Sequence, residues 1–460
     1  MRATLIGHAC WLIETSAGCF LTDPVLFDPF EEGTVVSCPR RDVHLDHLPE
    51  LRGIVVSHRH LDHFDVPSLA VLDRRVPVFC PPDPLLQYGL KQLGFNDLRP
   101  LEPFVPHDVD TLTLLPTPSL NRDVIECGLV FQDSTGTLFN QVDTVLGPDD
   151  VQRLRQEAGT PDVHLAMYAS QHFGFFESKR DYTAATYAIN LNMTLLLDAG
   201  CIVPASAGFR FVDELDWLNR HIFPIRAEQF ALDLQRLRPG LQTEIVRPGD
   251  RLTIASAQVS VERQVADYVS LLAADTYRLA YDPSAPVPPL QDTNPSGYGI
   301  RGMRELAQGV LESGLPQYLN QGISTPKEVA WQYAQHGVIY QIEVVFPDDT
   351  CYWSYHFDRQ PTYRWESGPS AVVPHVRLRI TGSALVDLCL GRRSYVSVRT
   401  QCRRTSRVLQ PTPTERGIEV HEIELPDLLS HYILNNMAGA DRRGAGWVDF
   451  QIRSLSRDVS

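Results

Sequence analysis

The feature that most constrains this chain is a group of three histidines and one aspartate that directly follows an apolar strand. Residues 51–56 form the apolar run, and residues 57–63 then read Ser-His-Arg-His-Leu-Asp-His. A turn that leaves a strand can direct His58 and His60 to one side, while Asp62 and His63 turn toward a second position beside it. Imidazole nitrogens and a carboxylate suit zinc, iron or manganese, and no thiolate demands a softer metal. The spacing therefore predicts a metal site at a strand end.

Such a site supports metal-assisted attack by water. Two metal ions close together can share a bridging hydroxide, lower the pKa of the bound water and polarise an attacked carbonyl or phosphoryl oxygen. The alternative is an exposed histidine-rich loop without function, and the preceding strand and the regular spacing argue against it. We expect one or two divalent metal ions, with zinc first and iron or manganese as alternatives.

Length and composition limit the class of protein. The 460 residues, 43% of them hydrophobic, are enough for two or three globular units. The formal net charge of −15 disfavours a nucleic-acid partner, because phosphate backbones are also anionic.

No apolar run is long enough for a transmembrane helix, and residues 1–7 predict a first strand rather than a signal peptide. Nine cysteines without Cys-x-x-Cys or Cys-x-His spacing indicate a reducing compartment, which we expect to be the cytoplasm, and exclude a Rieske centre within this sequence.

The order of predicted elements indicates an α/β fold over roughly the first 260 residues. Short apolar strands alternate with helices, including one over residues 84–93 that Asp83 would cap and Pro84 would begin. Residues 281–299 contain five prolines and predict a linker. Beyond it, further helices and strands, among them a strand over residues 396–402, predict an α+β unit. We place the domains at 1–265 and 300–460, with residues 266–299 as the linker.

The string His-x-His-x-Asp-His is the signature of the metallo-β-lactamase superfamily, which the chain resembles over roughly residues 1–260. Residues 6–9 (Ile-Gly-His-Ala) and 12–14 (Leu-Ile-Glu) are similar to the opening strand of the branch with ascorbate-phosphate lactonases and N-acyl-phosphatidylethanolamine phospholipases. Residues 21–26 are similar to that branch's second strand, and especially to the sialic-acid hydroxylase group. Residues 141–144 (Gln-Val-Asp-Thr) resemble the superfamily's Gly-Asp-Thr element.

The resemblance implies an αββα sandwich of metallo-β-lactamase type, with metals at one edge of the paired sheets, and a C-terminal α+β domain. The implied metal ligands are His58, His60, Asp62, His63 and Asp143. His58 and His60 would hold one metal, and Asp62 and His63 would hold a second. Asp143 would bridge the two metals. Asp23 would orient a ligand through a hydrogen bond. For Asp23 and Asp143, an ordinary turn aspartate is the alternative.

The sequence departs from the superfamily's pattern at two elements. The third element normally carries a histidine upstream of the bridging aspartate, but residues 116–126 contain none. Asn121, Asp123 and Glu126 are the candidates to replace it, and a carboxylate would favour iron or manganese. The last element normally places a histidine after a strand such as residues 202–204, where Ser206 and Gly208 stand instead.

Two further histidines are candidates for the site. His172 is predicted to be catalytic together with Asp62, as a metal ligand, a proton-transfer group or a substrate contact, and a structural histidine is the alternative. His8 either lies over the metal cluster or packs as an ordinary strand histidine.

The C-terminal unit resembles sterol-carrier-type domains over residues 338–402. In those domains a strand, a helix with an apolar face and a glycine turn line a lipid tunnel, and residues 377–391 follow that order. We interpret Leu385, Leu388 and Leu390 as core residues rather than lipid contacts.

Three functions are consistent with these observations. The first is a metal-dependent hydrolase of a small ester, amide, lactone or phosphodiester, whose substrate can carry an apolar or acyl portion. The second is a non-haem iron oxygenase on the same fold, which the missing imidazoles favour. The third is a binding module that has lost activity. The sequence leaves the oligomeric state open.

Overall fold

A computed structural model of the chain describes residues 1–121, 124–168, 171–177, 184–256, 258–273, 275, 277–415, 417–433 and 445–455. These residues divide into two compact units, of which the first is mainly Met1–His172 with the segment to Ala285, and the second is mainly Pro286–Phe450. The predicted domain limits at residues 265 and 300 remain our proposal. The described helices include none that is long and apolar enough to cross a membrane.

Two sheets form the centre of the first unit. In spatial order, the first sheet consists of Gln258–Glu262, Arg251–Ala255, Arg2–Gly7, Cys10–Thr15, Gly18–Thr22, Leu51–Val55, Val78–Cys80 and Leu98–Pro100. The second consists of Gln242–Thr243, Cys201–Ala205, Val163–Met167, Gly136–Asn140, Leu129–Asp133, Leu112–Pro116 and His107–Val109. Two short antiparallel pairs join Phe209–Phe211 to Val35–Ser37 and Val269–Leu271 to Arg41–Val43.

The alternation of side chains along the strands explains why the two sheets pack face to face. Successive residues of a strand point to opposite faces. Along Cys10–Thr15, Trp11 and Ile13 therefore join a core that also contains Phe131 and Leu138 of the second sheet. Cys10 and Leu12 belong to a different cluster on the outer face. This shared apolar layer is the main core of the first unit.

Helices cover the outside of the sheets, which gives the αββα layering. Val130 and Phe139 of the second sheet share a cluster with Leu154 and Met193, which lie on two of these helices. The helices of the first unit are Val66–Ala70, Pro84–Gln92, Pro148–Ala158, Ala184–Leu197, Asn219–Ile222 and Ala227–Leu237. Single 3-10 turns occur at Leu45–His47, Phe173–Glu177 and Asp213–Leu218.

The predicted cap at Asp83 is confirmed, since its carboxylate accepts hydrogen bonds from the backbone N–H groups of Leu85 and Leu86.

The second unit is an α+β structure with its own core. Its sheet has the order Thr362–Ser367, Thr350–Asp358, Ile339–Val345, Val376–Thr381 and Cys402–Ser406, and Leu409–Thr414 pairs with Gly417–Glu422. The helices beyond residue 286 are Ile300–Gln308, Gly309–Gly314 (a π-helical turn), Leu315–Gly322, Val329–His336, Gly382–Cys389, Tyr395–Arg399, Leu428–Tyr432 and Ala445–Leu455. Leu385 and Leu388 lie in the core, as interpreted, whereas Leu390 is half exposed. The resemblance to sterol-carrier domains stays a prediction.

The predicted strand over residues 396–402 is wrong, because Tyr395–Arg399 is helical and the strand begins only at Cys402. The Ser394 side chain accepts a hydrogen bond from the Ser397 N–H and caps the helix. Ser394, Ser397 and Val398 are buried, which is the spacing of one helix face. The valines at alternate positions suggested a strand, but burial follows the helical period.

The packing of the two sheets makes a stability prediction. Leu138→Ala removes a buried side chain from the core between them, and we expect the free energy of unfolding to fall by about 2–5 kcal/mol. Leu237→Ala, at a side chain that is 60% exposed, is the matched control, and its effect should stay within about 0.5 kcal/mol. Urea unfolding followed by circular dichroism measures both. Equal losses in the two variants would contradict the assigned core.

Candidate metal centre

The site forms where neighbouring strands of the first sheet end. Gly18–Thr22 and Leu51–Val55 run parallel, so their carboxyl ends meet at one edge of the sheet. Asp23 and Ser57 follow these ends, and the Asp23 N–H donates to the Val55 carbonyl at 2.8 Å. Asp23 has a φ of 41°, a left-handed conformation that aspartate tolerates better than most residues. The strand ends therefore place the Asp23 carboxylate beside the histidine cluster.

Asp23 fixes the orientation of two imidazoles. Its Oδ1 accepts from the Ser57 N–H at 2.7 Å, and its Oδ2 accepts from the Ser57 hydroxyl at 2.8 Å and from His63 Nδ1 at 2.9 Å. Because the Ser57 proton is directed to Asp23, the Ser57 oxygen is left to accept from His58 Nδ1 at 2.9 Å. Both histidines therefore carry the proton on Nδ1 and keep the Nε2 lone pair for another partner. The predicted orienting role of Asp23 fits this geometry.

The Nε2 atom of His63 faces two carboxylates. It lies 3.5 Å from Asp62 Oδ2 and 3.3 Å from Asp143 Oδ2, and it has no hydrogen-bond partner among the described residues. Ligand atoms of His58, His63 and Asp143 lie within 4.8 Å of one another, and His58 Nε2 lies 2.9 Å from His60 Nδ1. An imidazole nitrogen and two carboxylates that converge in this way repel one another unless a proton on the imidazole or a metal ion lies between them. The residues present therefore fit a divalent metal ion. Four of the five predicted ligands, His58, Asp62, His63 and Asp143, belong to groups of converging ligand atoms, and His60 contacts His58.

His8 lies beside these candidate ligands, although its position was left open by the sequence. It lies in the turn between the first two strands, its side chain is buried, and its Nε2 lies 3.1 Å from Asp62 Oδ2. His8, Asp62 and His63 form a second group of potential ligand atoms within 4.8 Å. A Cβ added to Gly208 would lie 3.1 Å from the His8 backbone, so a larger residue there would require the two segments to shift by a few tenths of an ångström. His8 thus supplies an imidazole close to where the superfamily's last element lacks one.

A strained turn holds Asp143. Val142 adopts a φ of 55°, which is unusual for a β-branched residue and costs about 1–2 kcal/mol. The turn is closed by the Gln141 side chain, which donates to the Thr144 carbonyl at 2.8 Å, and by the Thr144 hydroxyl, which donates to the Gln141 carbonyl at 2.7 Å. Conformations of this kind persist where the surroundings enforce them, often at functional sites.

Glu126 occupies the third element, where the sequence lacks a histidine. Its carboxylate is buried and accepts a hydrogen bond from the Ser119 hydroxyl at 2.5 Å, and Ser119 in turn accepts from the Val145 N–H, two residues beyond Asp143. The next residue, Cys127, donates its N–H to the Ser57 carbonyl at 3.2 Å. Glu126 is thereby tied both to the turn of Asp143 and to the start of the histidine cluster.

The other candidates for the missing ligands have different positions. Asn121 donates to Glu126 Oε2 at 3.3 Å and so supports that carboxylate, while Asp123 lies outside the described residues. His172 is buried and its N–H donates to the Ile222 carbonyl at 2.6 Å. Its catalytic role stays a prediction.

Burial and charge shift the pKa values within the site. Burial and the neighbouring imidazoles of His63 and His60 hold the pKa of His58 well below its ordinary value, so His58 is neutral and suited to metal binding. Burial lowers the pKa of His63, but the carboxylates of Asp62, Asp143 and Asp23 outweigh it and raise that pKa well above its ordinary value. Burial raises the pKa of Glu126 to about 7, with a contribution from Asp143. A metal ion and a proton would compete for His63.

Comparison with protein families agrees with this fold. Residues 21–173 match the family described as the Beta-lactamase superfamily domain, and this segment includes the histidine cluster and Asp143. The first unit thus has the metallo-β-lactamase fold, and the expected αββα sandwich with an additional C-terminal α+β domain is confirmed. The narrower resemblance to lactonases, phospholipases or hydroxylases stays a prediction.

Individual relatives are more distant. A protein of Mycolicibacterium smegmatis named "Putative Rieske 2Fe-2S iron-sulfur protein" is 30% identical over 179 residues, which are 37% of this chain and 34% of the relative. The chain thus aligns with about a third of that relative's length. Among solved structures, an isothiocyanate hydrolase from Delia radicum gut bacteria is 19% identical with a TM-score of 0.42, covering 55% of this chain and 99% of its own. The diiron β-hydroxylase CmlA from Streptomyces venezuelae is 16% identical with a TM-score of 0.41, covering 57% and 54%.

The hydrogen bonds of Asp23 make a prediction about metal affinity. In Asp23→Asn one oxygen becomes an NH₂ group, which cannot accept from both Ser57 and His63, so the imidazoles lose their fixed orientation. We expect the affinity for Zn²⁺ to fall about 10–100-fold. Competition with a chromophoric chelator measures this affinity. Asp162→Asn is the control, because Asp162 accepts from the Thr137 N–H at the opposite end of the second sheet. Equal affinity in Asp23→Asn and the wild type would refute the orienting role.

Proposed function

We propose that the metallo-β-lactamase-type domain holds two hard divalent metal ions, preferably iron, and oxidises a small molecule as a non-haem iron oxygenase. The proposal is supported by Glu126, a buried carboxylate in the segment where the superfamily's third element would carry a histidine. If Glu126 joined Asp62 and Asp143 as a ligand, the site would have three carboxylates, and oxygen ligands shift the metal preference from zinc toward iron and manganese.

The chain's own residues would have separate tasks. The residues that would hold the metals are His8, His58, His60, Asp62, His63, Glu126 and Asp143. When bound, iron would supply activation of O₂, whereas zinc would supply an activated water. Asp23 orients His63 directly and His58 through Ser57. Ser119 keeps Glu126 near Asp143, since it contacts both loops.

An oxygenase of this kind needs an external source of electrons. The relatives named for a Rieske iron–sulfur centre support the proposal in this respect, because such a centre is an electron carrier. These 460 residues contain no Cys-x-His pair, so the electrons would come from a centre outside this sequence.

Hydrolysis of a small ester, amide, lactone or phosphodiester is the second candidate. It is favoured by the three imidazoles of His58, His60 and His63, which lie together and suit zinc. The proposed oxygenase and the hydrolase differ in the metal they require, so one measurement separates them.

That measurement is elemental analysis of protein purified without added metal, followed by O₂ uptake with candidate substrates. We expect about two iron ions per chain, and a loss of metal in His60→Ala. Glu126→His should shift the bound metal toward zinc, while Glu157→Gln, at an exposed glutamate of the same unit, should not.

Two results would overturn the proposal. Stoichiometric zinc in the wild type, unchanged in Glu126→His, would favour the hydrolase. Protein that retains no metal under any of these conditions would exclude both reactions and leave a binding module.

A further inference from the structure

The first unit contains a cavity of about 410 Å³, for which the proposed metal chemistry assigns no role. One wall is formed by the first two strands and their turn, which carry Leu5, His8 and Trp11. Because His8 also contacts Asp62, the cavity adjoins the metal site through a single side chain. Its volume is in the range of pockets that bind small molecules.

Most of the cavity wall is apolar. Leu5, Trp11, Tyr168, Phe223 and Ile225 line it, and Trp11 and Phe223 are almost completely buried. Such a surface would bind the hydrophobic body of a ligand and exclude water from it.

Cationic groups line the same cavity. Arg226 and Arg247 have no ion-pair partner among the described residues, and Arg278 donates to the Tyr277 carbonyl. Arg226 is also the residue before the helix Ala227–Leu237, whose first turn has no side-chain cap. Unpaired N–H groups and the helix dipole favour an anion at this end of a helix.

The acidic residues of the wall do not cancel these charges. Asp275 already pairs with Arg210 and accepts from the Arg40 N–H. Glu228, on the first turn of the helix, is exposed, as the three arginines also are, and its single negative charge offsets only one of them. The free charge at the cavity is therefore positive.

Three buried polar atoms among the lining residues point to a ligand independently. His8 Nδ1, Trp11 Nε1 and Ser206 Oγ have no hydrogen-bond partner among the described residues, and all three residues are more than nine-tenths buried. Buried polar groups without partners are costly and uncommon, so groups of this kind mark places where a bound molecule supplies the missing hydrogen bonds.

We propose that this cavity binds a small organic anion, a carboxylate or a phosphate monoester with an apolar body. Arg226 and Arg247 hold the acidic group, the aromatic wall holds the body, and the buried polar atoms bond to a substituent on the side of His8. The assignment of this anion as the substrate rests on the proposed function, whereas its binding does not.

Isothermal titration of the purified protein with three probes tests the proposal. The probes are 3-phenylpropionate, phenyl phosphate and the neutral 3-phenylpropionamide. We expect at least one anion to bind roughly 10-fold or more tightly than the amide, and the double variant Arg226→Gln/Arg247→Gln to remove that difference. Arg236→Gln is the control, since Arg236 lies on the same helix and pairs with Asp233.

The outcomes separate the two proposals. Equal binding of the anions and the amide, no binding of any probe, or anion binding that the double variant leaves unchanged would overturn the cavity assignment. The last result would indicate direct ligation of the metal. Protein that lacks metal but binds an anion through the arginines would refute the proposed function and keep the cavity.

Discussion

The geometry of the candidate centre depends on one carboxylate, that of Asp23. It accepts from the backbone and side chain of Ser57 and from His63, and so joins the ends of two parallel strands to the loop that follows them. A carboxylate is required because each of these partners donates a proton. The consequence reaches His58 through the Ser57 hydroxyl. Two imidazoles thus acquire a fixed tautomer from a residue that does not itself need to touch a metal.

The backbone around the site is less relaxed than that of the strands that carry it. His8, Asp23, Val142 and Ser206 all have positive φ values, and each lies in the turn that follows a strand. The packed core between the sheets provides the stability that allows these conformations. A rigid scaffold with strained turns places side chains from distant parts of the chain within hydrogen-bonding distance, which flexible loops would not do.

The sequence predicted those features that are local or repeat along the chain. The histidine cluster, Asp143, Asp23 and the helix cap at Asp83 each stand next to a recognisable strand or helix end, so their positions in the fold could be inferred. Glu126 remained one of three candidates, because only the tertiary contacts of Ser119, with Glu126 and with the Val145 N–H, link that side chain to the segment after Asp143. His8 was undecided for the same reason, since its contact with Asp62 joins residues 54 positions apart in the sequence. The helix Tyr395–Arg399 was missed because the alternating valines imitate a strand.

The charge balance of the centre connects the two proposals. Three carboxylates from Asp62, Glu126 and Asp143 would neutralise most of the charge of two divalent ions and leave a net charge of about +1. A metal centre of that kind attracts an anionic molecule only weakly, in contrast to one held by imidazoles alone. An acidic substrate would then need cations elsewhere, and Arg226 and Arg247 line the same cavity as His8 and have no ion-pair partner among the described residues. The arginines would then bind the acid, and the metal ligands would support the reaction. The contact between His8 and Asp62 links these two sets of groups.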